Sequence, residues 1–341
     1  MKRFVLHIIT LCIPLFVLLG VYLVCDPFKV IGDYTSFYPA KQAGGGVSLN
    51  PGYVGCEVWK KQHNSLDYNA YIFGNSRSIY YKIDDWAATL PDGCSAMHFD
   101  AAAETLLGIQ RKVNYIDRNG GRLEHALFVV DEGLLRATQS NEDNHLTILA
   151  PQLASWAGKM QFHWVNFRTF ITPKFLYAYL DYNLTGKLKP YMTRQSLLNE
   201  DMFAYDVRRN EMDFEIMEQY IAEGTYYDER RCKVFEGVQF PDSVSPIAIG
   251  SEQRELLQEI RETLGRHHTT ATWIISPLYN QIKINPADIV TLREIFGEEN
   301  VLDYSGPNQW NTDYHNYYEA SHYRPHVAAE ILRTLTGKSK Y

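Results

Sequence analysis

The sequence has few cysteines, and none has the spacing of a metal or redox site. Five cysteines occur in 341 residues, and no two of them form a C-x-x-C pair, which excludes zinc-ribbon and thioredoxin-like sites. Beyond residue 25 only Cys56, Cys94 and Cys232 remain, so at most one disulfide forms among them and one thiol is left over. An apolar core must therefore supply the stability of the fold.

The chain also has no excess of positively charged side chains. The net charge is −7 at pH 7, whereas a nucleic-acid partner requires a basic face, so no nucleic-acid binding is expected. Hydrophobic residues make up 45% of the chain, which excludes a disordered protein. The length suffices for one large domain or two small ones.

The amino terminus contains a long run without charged side chains. Lys2 and Arg3 precede a mostly apolar stretch, 4–25, that lacks Asp, Glu, Lys and Arg and is long enough to cross a hydrocarbon core about 30 Å thick as a helix. The two cations predict a cytoplasmic amino terminus, with the bulk of the chain in the periplasm or at the cell surface. A cleavable signal peptide is the alternative, but its apolar region is normally shorter, about 7–15 residues. The pattern favours a retained single-pass membrane anchor over residues 1–25.

The rest of the chain divides into an approach segment and an α/β domain. Residues 26–66 contain turn-forming glycines and show no clear period, which predicts an irregular segment. From residue 67 strand-like and helix-like runs alternate, which predicts a parallel sheet covered by helices on both faces, a three-layer sandwich. The predicted strands are 70–73, 96–99, 125–130, 269–275 and 301–304, and the predicted helices are 79–90, 103–117, 252–267, 286–296 and 325–335.

This alternation is interrupted between residues 134 and 250. A loop of that length inside a domain of 67–341 is improbable, so we predict a mostly helical insertion with its own core. It contains an aromatic stretch at 156–182 and a polar, helix-like segment at 213–222. The aromatic side chains are interpreted as the core of the insertion rather than as a ligand platform.

The first predicted strand ends in a glycine that is followed by a serine. Gly74, Asn75 and Ser76 come directly after strand 70–73, so the hydroxyl of Ser76 is expected at the carboxyl edge of the sheet, where α/β folds bind ligands. The simplest role for such a serine is to cap the next helix. It becomes a nucleophile only when a histidine, oriented by a carboxylate, takes its proton. Glu319 and His322 lie three residues apart before the last helix, at the same predicted edge.

A metal site is the weaker alternative for this cluster. His322 and His326 are four residues apart, with Glu319 nearby, and such spacing can place ligands on one helical face. Pro325, however, marks a helix start between the two histidines, and the chain has no H-E-x-x-H motif. No metal and no cofactor are therefore expected.

These motifs resemble those of the SGNH (GDSL-like) hydrolase superfamily. The first block of that family is a strand ending in G-[DN]-S, which Gly74-Asn75-Ser76 matches, and its last block is D-x-x-H, which Glu319-x-x-His322 matches with Glu in place of Asp. The order of strands and helices agrees over 67–133 and 251–336. The resemblance implies an SGNH/flavodoxin-like fold in which Ser76 is the nucleophile, His322 the base and Glu319 its orienting carboxylate.

Two blocks of the family pattern differ in this chain. Near Ala102 there is no glycine to supply an oxyanion-hole amide, although an alanine amide also donates. After the third strand the chain has Asp131 where the family has an asparagine. A carboxylate there is expected to repel a developing oxyanion, and losing one donor typically costs about 10²–10³ in rate. Asn75, Arg77, Ala102 and Asp131 are the candidate substrate and oxyanion residues. Arg77 is expected to cap the start of the next helix, to pair with a substrate carboxylate or phosphate, or to form a surface salt bridge.

The anchor followed by such a domain is similar to the membrane-anchored branch that works in cell-envelope acylation, including D-alanyl-lipoteichoic acid transfer proteins and alginate O-acetylation proteins. This similarity implies an extracytoplasmic ester hydrolase or O-acyltransferase that acts on an envelope polysaccharide through an acyl-serine, beside a multi-spanning membrane acyltransferase. The alternatives are a non-catalytic relative that binds glycan or docks on the acyltransferase, and an envelope scaffold with a tyrosine-rich binding surface.

Overall fold

The computed structural model describes residues 2–193, 198–199, 202–240 and 242–338. The strands are β1 (Lys41–Ala43), β2 (Ala70–Gly74), β3 (Ala96–His98), β4 (His125–Val130), β5 (Met202–Asp206), β6 (Glu211–Asp213), β7 (Thr270–Ile275), β8 (Val301–Asp303), β9 (Tyr317–Glu319) and β10 (His322–Tyr323). The helices are α1 (Lys2–Cys25), α2 (Pro51–Leu66), α3 (Ile83–Ala87), α4 (Leu106–Arg118), α5 (Glu132–Arg136), α6 (Trp156–Phe170), α7 (Pro173–Thr185), α8 (Pro190–Thr193), α9 (Glu215–Ala222), α10 (Glu229–Glu236), α11 (Ser251–Arg266), α12 (Pro286–Phe296) and α13 (Pro325–Lys338).

A parallel sheet of five strands forms the centre of the protein, in the order β3-β2-β4-β7-β8. Every residue of β2 is buried, which requires that both faces of the sheet be covered. Phe73, Phe128 and Trp273 occupy matching positions on neighbouring strands, and their rings stack with centroids 5.1 and 4.2 Å apart. Aromatic pairs of this kind add about 0.5–1.5 kcal/mol each beyond the area that they bury.

The helices around this sheet form two contacting groups. Helices α4, α11 and α12 lie in a row, in which α11 contacts both of the others, whereas α3 contacts α13. The predicted α/β fold with a parallel sheet is therefore confirmed, and the arrangement is compatible with a three-layer sandwich. The main difference is local: the helix predicted over 79–90 is a 3₁₀ turn at Ser78–Tyr80 followed by the short α3, because Tyr81 and Lys82 between them are extended.

The expectation of an irregular segment over 26–66 is wrong for its second half, which forms helix α2. The Asn-Pro-Gly sequence at 50–52 resembles a turn, but the side chain of Asn50 accepts a hydrogen bond from the Tyr53 amide at 3.0 Å and Pro51 occupies the first helical position. Asparagine at the N-cap followed by proline is a favoured helix start, because the missing proline N–H would have no partner there anyway.

The insertion between 134 and 250 contains helices α6 to α10 and the strands β5 and β6. Strand β5 pairs antiparallel with both β1 and β6, so the insertion and the approach segment share a small sheet. The aromatic side chains of the insertion differ in burial. Phe162, Phe170 and Phe175 are fully buried, whereas Trp156 and Tyr177 are exposed. Residues 194–197, 200–201 and 241 of the insertion lie outside the described residues.

Helix α1 packs against the insertion at its carboxyl-terminal end. The ring of Tyr22 lies 5.4 Å from those of Phe167 and Phe170 on α6. Within the described part of the chain, no helix combines the length and the apolar character that a membrane crossing needs. The predicted anchor, whose Met1 lies outside the described residues, stays a prediction.

The three cysteines beyond residue 25, among which the sequence permitted at most one disulfide, are all free thiols. This holds for Cys56, Cys94 and Cys232. Cys56 is fully buried, and this burial raises the pKa of its thiol to about 12. Cys56 therefore acts as a small apolar side chain of the core.

Candidate active site

The position of Ser76 is set by the glycine that ends β2. Gly74 has φ +155°, and a Cβ there would lie 2.4 Å from the carbonyl oxygen of Val129 on β4. Only glycine permits this approach. The chain then turns away from the sheet at the carboxyl ends of β2 and β4, where the order of the strands reverses. Open α/β sheets bind ligands in a crevice at such a point.

The structure brings Ser76, His322 and Glu319 together. Ser76 Oγ lies 2.7 Å from His322 Nε2, and His322 Nδ1 contacts Glu319 Oε1. Glu319 and His322 are directly opposite in the β9–β10 hairpin, and opposite residues of an antiparallel pair have Cβ atoms only about 5 Å apart. The hairpin therefore joins the two side chains although Glu is longer than the Asp of the family pattern.

The carboxylate of Glu319 is strongly stabilised in its ionised form. The hydrogen bond with His322 lowers the pKa of Glu319 to about 2 against the opposing effect of burial, and Ser321 and the charge of Arg77 add to this effect. In the neutral form of His322, an Nδ1–H donated to the ionised Glu319 leaves Nε2 as the ring nitrogen that accepts from Ser76. The arrangement suits proton transfer from the serine to the histidine.

Both neighbours of Ser76 bind one carboxylate at the end of β4. Arg77 Nη1 lies 2.5 Å from Asp131 Oδ2, and the side-chain amide of Asn75 donates to the same oxygen. Asp131 Oδ1 also accepts from the amide of Leu134 at 3.1 Å. Asp131 is thus a paired carboxylate rather than the isolated negative charge that was expected to repel an oxyanion.

The guanidinium of Arg77 also reaches the hairpin that carries the histidine. Its Nε donates to the carbonyl oxygen of Ser321 at 2.9 Å, and its side chain is only 16% exposed. The salt bridge expected of Arg77 is present, with Asp131, but it is largely buried rather than at the surface, and the Arg77 side chain makes no cap hydrogen bond to the 3₁₀ turn that follows. Arg77 is a partly buried link between the serine turn, β4 and the β9–β10 hairpin, and the structure places its Nε and Nη1 on protein acceptors rather than facing a substrate.

The loop after β3 offers a free backbone amide beside Ser76. The fully buried Lys112 donates to the carbonyl oxygens of Phe99 at 3.0 Å and Asp100 at 2.8 Å, and Ala101 N–H donates to Gly74 O at 3.1 Å. No described residue accepts a hydrogen bond from the amide of Ala102, and the same is true of Ser76 N–H. These two amides are the candidate oxyanion donors.

A buried polar network under the serine turn was not predicted. Ser78 Oγ lies 2.6 Å from Asn75 O and 3.0 Å from Asp100 Oδ2, and His98 Nδ1 lies 3.3 Å from the same Asp100 oxygen. Burial disfavours the charged form of His98, but Asp100 and Glu211 outweigh it, so the pKa of His98 is raised. The only signal in the sequence is a histidine and an aspartate at the end of a buried strand.

Residues of the insertion hold the β9–β10 hairpin in place. Glu218 on α9 pairs with Arg324, whose Nε lies 3.0 Å from Glu218 Oε1, and the hydroxyl of Tyr318 donates to that oxygen at 2.5 Å. Burial would raise the pKa of Glu218, but the hydrogen bonds from Arg324 and Tyr318 lower it. Because the partners are about 100 residues apart in the chain, sequence reasoning missed this link.

The histidine that suggested a metal site has a different partner. His326 Nε2 lies 2.9 Å from Asn316 Oδ1, whereas Glu319 contacts His322. Over the described ranges, no three His, Cys, Asp or Glu side chains are grouped in a way that would hold a metal ion.

A cavity of about 310 Å³ adjoins Ser76. Ser76, Ala101 and Ala102 line it together with side chains from α2 and the insertion. The candidate oxyanion donor of Ala102 and the serine are therefore exposed to the same space.

Comparison with protein-family models and with curated proteins found no match to this chain. The arguments for function thus depend on the geometry of the site.

Proposed function

We propose that the protein is a serine-dependent ester hydrolase or O-acyltransferase of SGNH-like type. The observation that carries this proposal is the continuous chain of contacts from Ser76 Oγ through His322 to Glu319. Its place at the crevice between β2 and β4 supports the proposal further, because ligands of doubly wound sheets bind there. A serine that only capped a helix would not need a histidine at 2.7 Å that in turn contacts a carboxylate.

The reaction has two steps. First, the Ser76 hydroxyl passes its proton to His322 Nε2 while Oγ bonds to the acyl carbon; the bond from that carbon to the leaving oxygen breaks, and this oxygen takes the proton from His322. Second, an acceptor hydroxyl gives its proton to His322 and its oxygen bonds to the acyl carbon. The acyl–Oγ bond then breaks and the proton returns to Ser76. Water as acceptor gives hydrolysis, and a sugar hydroxyl gives acyl transfer.

The free amides of Ser76 and Ala102 are proposed to bind the oxyanion that forms in each step. Since Asp131 is paired with Arg77 and Asn75, the missing asparagine of the family pattern leaves no unpaired charge here. This pairing favours catalysis over the non-catalytic alternative.

We also propose that the protein acts outside the cytoplasm, anchored by residues 1–25, on an envelope polysaccharide and beside a multi-spanning acyltransferase. The support is a concentration of exposed large apolar side chains on three helices that adjoin one another. The exposed side chains on helices α1, α6 and α7 are Ile13, Leu15, Phe16, Val17, Val21, Leu23, Val24, Trp156, Met160, Trp164, Tyr177, Leu180 and Leu184. Exposed apolar surface on that scale is typical of a membrane or protein contact.

Labelling with a fluorophosphonate, which reacts with activated serines, tests the proposed catalysis. The wild-type protein is expected to form an adduct, Ser76→Ala to form none, and His322→Ala to react at least about 10³-fold more slowly, because the base is lost. Ser65→Ala changes an exposed serine on α2 and is the matched control, with labelling unchanged. A wild-type protein that is folded but not labelled at Ser76 would contradict catalysis and favour the glycan-binding or docking alternative.

A further inference from the structure

The cavity beside Ser76 has an apolar wall. Leu49 and Val54 line it from the approach segment and α2, Leu146 from the loop after α5, and Phe203, Met212 and Phe214 from the insertion. None of the described residues that line it is a lysine or an arginine. Such a surface favours hydrocarbon over a sugar, because burying a hydroxyl without a partner is unfavourable.

Two polar side chains of the wall, Asn210 and Asp100, are hydrogen-bonded within the protein, whereas the ring nitrogens of His98 have no hydrogen-bond partner among the described residues. Asn210 uses its amide nitrogen for the carbonyl oxygen of His98 at 3.0 Å and its oxygen for the hydroxyl of Tyr205 at 2.8 Å. Asp100, the one carboxylate among the described residues of the wall, is engaged by Ser78 and His98. Among the described residues of the wall, the one counter-charge for a cationic aminoacyl group is therefore Asp100, which already accepts a hydrogen bond from Ser78.

The volume limits the size of the occupant. At about 30 Å³ for each group of the size of a water molecule, the 310 Å³ of the cavity hold on the order of ten heavy atoms. An acetyl group would leave most of this space empty. Tyr38 and Leu49 also line a second cavity of about 360 Å³, so these side chains lie at the boundary between the two cavities.

We propose that this cavity binds the acyl chain of the substrate, and that the enzyme prefers unbranched acyl groups of about six to ten carbons over acetyl. This inference rests on the proposed function, since it assigns the space next to the acyl carbon attacked by Ser76. The carbonyl oxygen then lies toward the amides of Ser76 and Ala102, and the hydrocarbon chain extends toward Phe203 and Phe214.

Hydrolysis of p-nitrophenyl esters of increasing chain length tests the assignment. Because each methylene buried in an apolar site raises kcat/KM by about 4-fold, the hexanoyl ester is expected to exceed the acetyl ester by about 10²-fold. Leu146→Trp fills the cavity and is expected to remove most of this preference, because the longer acyl chains then lose the space that holds them. Leu149→Trp is the matched control, because Leu149 lies on the same loop but lines other cavities.

The outcomes separate the two proposals. If acetyl ester is the best substrate, or if Leu146→Trp leaves the chain-length preference unchanged, the acyl assignment is overturned while the serine mechanism stands. If no ester is hydrolysed in a Ser76-dependent way, the proposed function fails and this inference fails with it. Met212→Trp fills the same cavity from β6 and replaces Leu146→Trp should that variant not fold.

Discussion

At the scale of single residues, the turn that carries Ser76 is held by charge and hydrogen bonds rather than by apolar packing. The residues before and after the serine, Asn75 and Arg77, both bind Asp131. The same Arg77 donates to the backbone of the histidine loop. One partly buried ion pair therefore fixes the position of Ser76 relative to the loop that carries His322.

Replacing Asp131 tests this link. In Asp131→Asn the charge of Arg77 loses its partner in a site where both side chains are largely buried, so we expect the free energy of unfolding to fall by about 3 kcal/mol. Fluorophosphonate labelling is expected to slow as well, because the serine turn loses its position. Urea unfolding and labelling rates measure the two effects.

The matched control is Glu132→Gln, which removes the adjacent carboxylate from an exposed i,i+4 pair with Arg136. Pairs of this kind contribute only about 0.3–0.5 kcal/mol. Equal losses of stability in the two variants would show that Asp131 is no more than another surface charge.

The depressed pKa of Glu319 makes a prediction about pH. Since the folded-state pKa of about 2 lies below the ordinary value of 4.5, the ionised carboxylate stabilises the fold at pH values above about 4.5, and this contribution is lost as the pH falls toward 2. The Tm difference between wild type and Glu319→Gln is therefore expected to persist down to about pH 4.5 and to disappear by about pH 2. Thermal melts across this range would contradict the His322 contact if the difference were the same at all pH values.

At the scale of elements, the β9–β10 hairpin is too short to hold its own shape. It pairs only three residues with two, and isolated two-stranded hairpins are marginally stable at best. Glu218 on α9 binds Tyr318 and Arg324, which stand on either side of the Glu319–His322 pair. The insertion therefore holds the hairpin that carries His322, in addition to forming part of the cavity wall.

Loss of Glu218 is expected to affect catalysis more than stability. Glu218→Gln weakens the link to Arg324, and we expect kcat to fall about 10-fold, with KM little changed, because the histidine is held less well at 2.7 Å from the serine. Glu215→Gln on the same helix, where the side chain is exposed, is the control with no change. A fall in kcat in both variants, or in neither, would rule out this positioning role.

At the scale of the whole molecule, the exposed apolar side chains are concentrated on α1, α6 and α7. Trp156, Met160 and Trp164 follow a four-residue spacing and so lie on one face of α6, the helix that Tyr22 of α1 contacts through Phe167 and Phe170. This distribution supports attachment to a membrane by that side of the protein, with the serine crevice formed elsewhere by the sheet.

A charge in the predicted anchor tests the attachment. Val17→Arg places a cation in the apolar run and is expected to cost about 3 kcal/mol in a membrane, which would release the full-length chain from vesicles during an alkaline wash. Val290→Arg changes an equally exposed valine on α12 and is expected to have no effect. Retention of Val17→Arg on the vesicles would contradict an anchor at residues 1–25.

Much of the fold and three site residues were predictable because their signals are local. Strand–helix alternation predicted the parallel sheet, since apolar period and helix ends are properties of neighbouring residues. The spacing of Glu319 and His322 predicted a shared loop. The same local reasoning failed at residues 50–52, where the sequence of a turn is also that of an N-cap, and only the hydrogen bond of Asn50 distinguishes the two.

The sequence by itself determined that this protein has an α/β sheet with a serine at a strand end and a Glu–His pair before the last helix. Only the tertiary structure decided that Asp131 is neutralised by Arg77, that Lys112 fixes the loop of Ala102, and that Glu218 holds the hairpin. The reason is physical: a buried charge needs a partner, but which partner it finds depends on the register and packing of elements that are distant in the chain. The apolar cavity beside Ser76 has the same origin, because three separate segments build its wall.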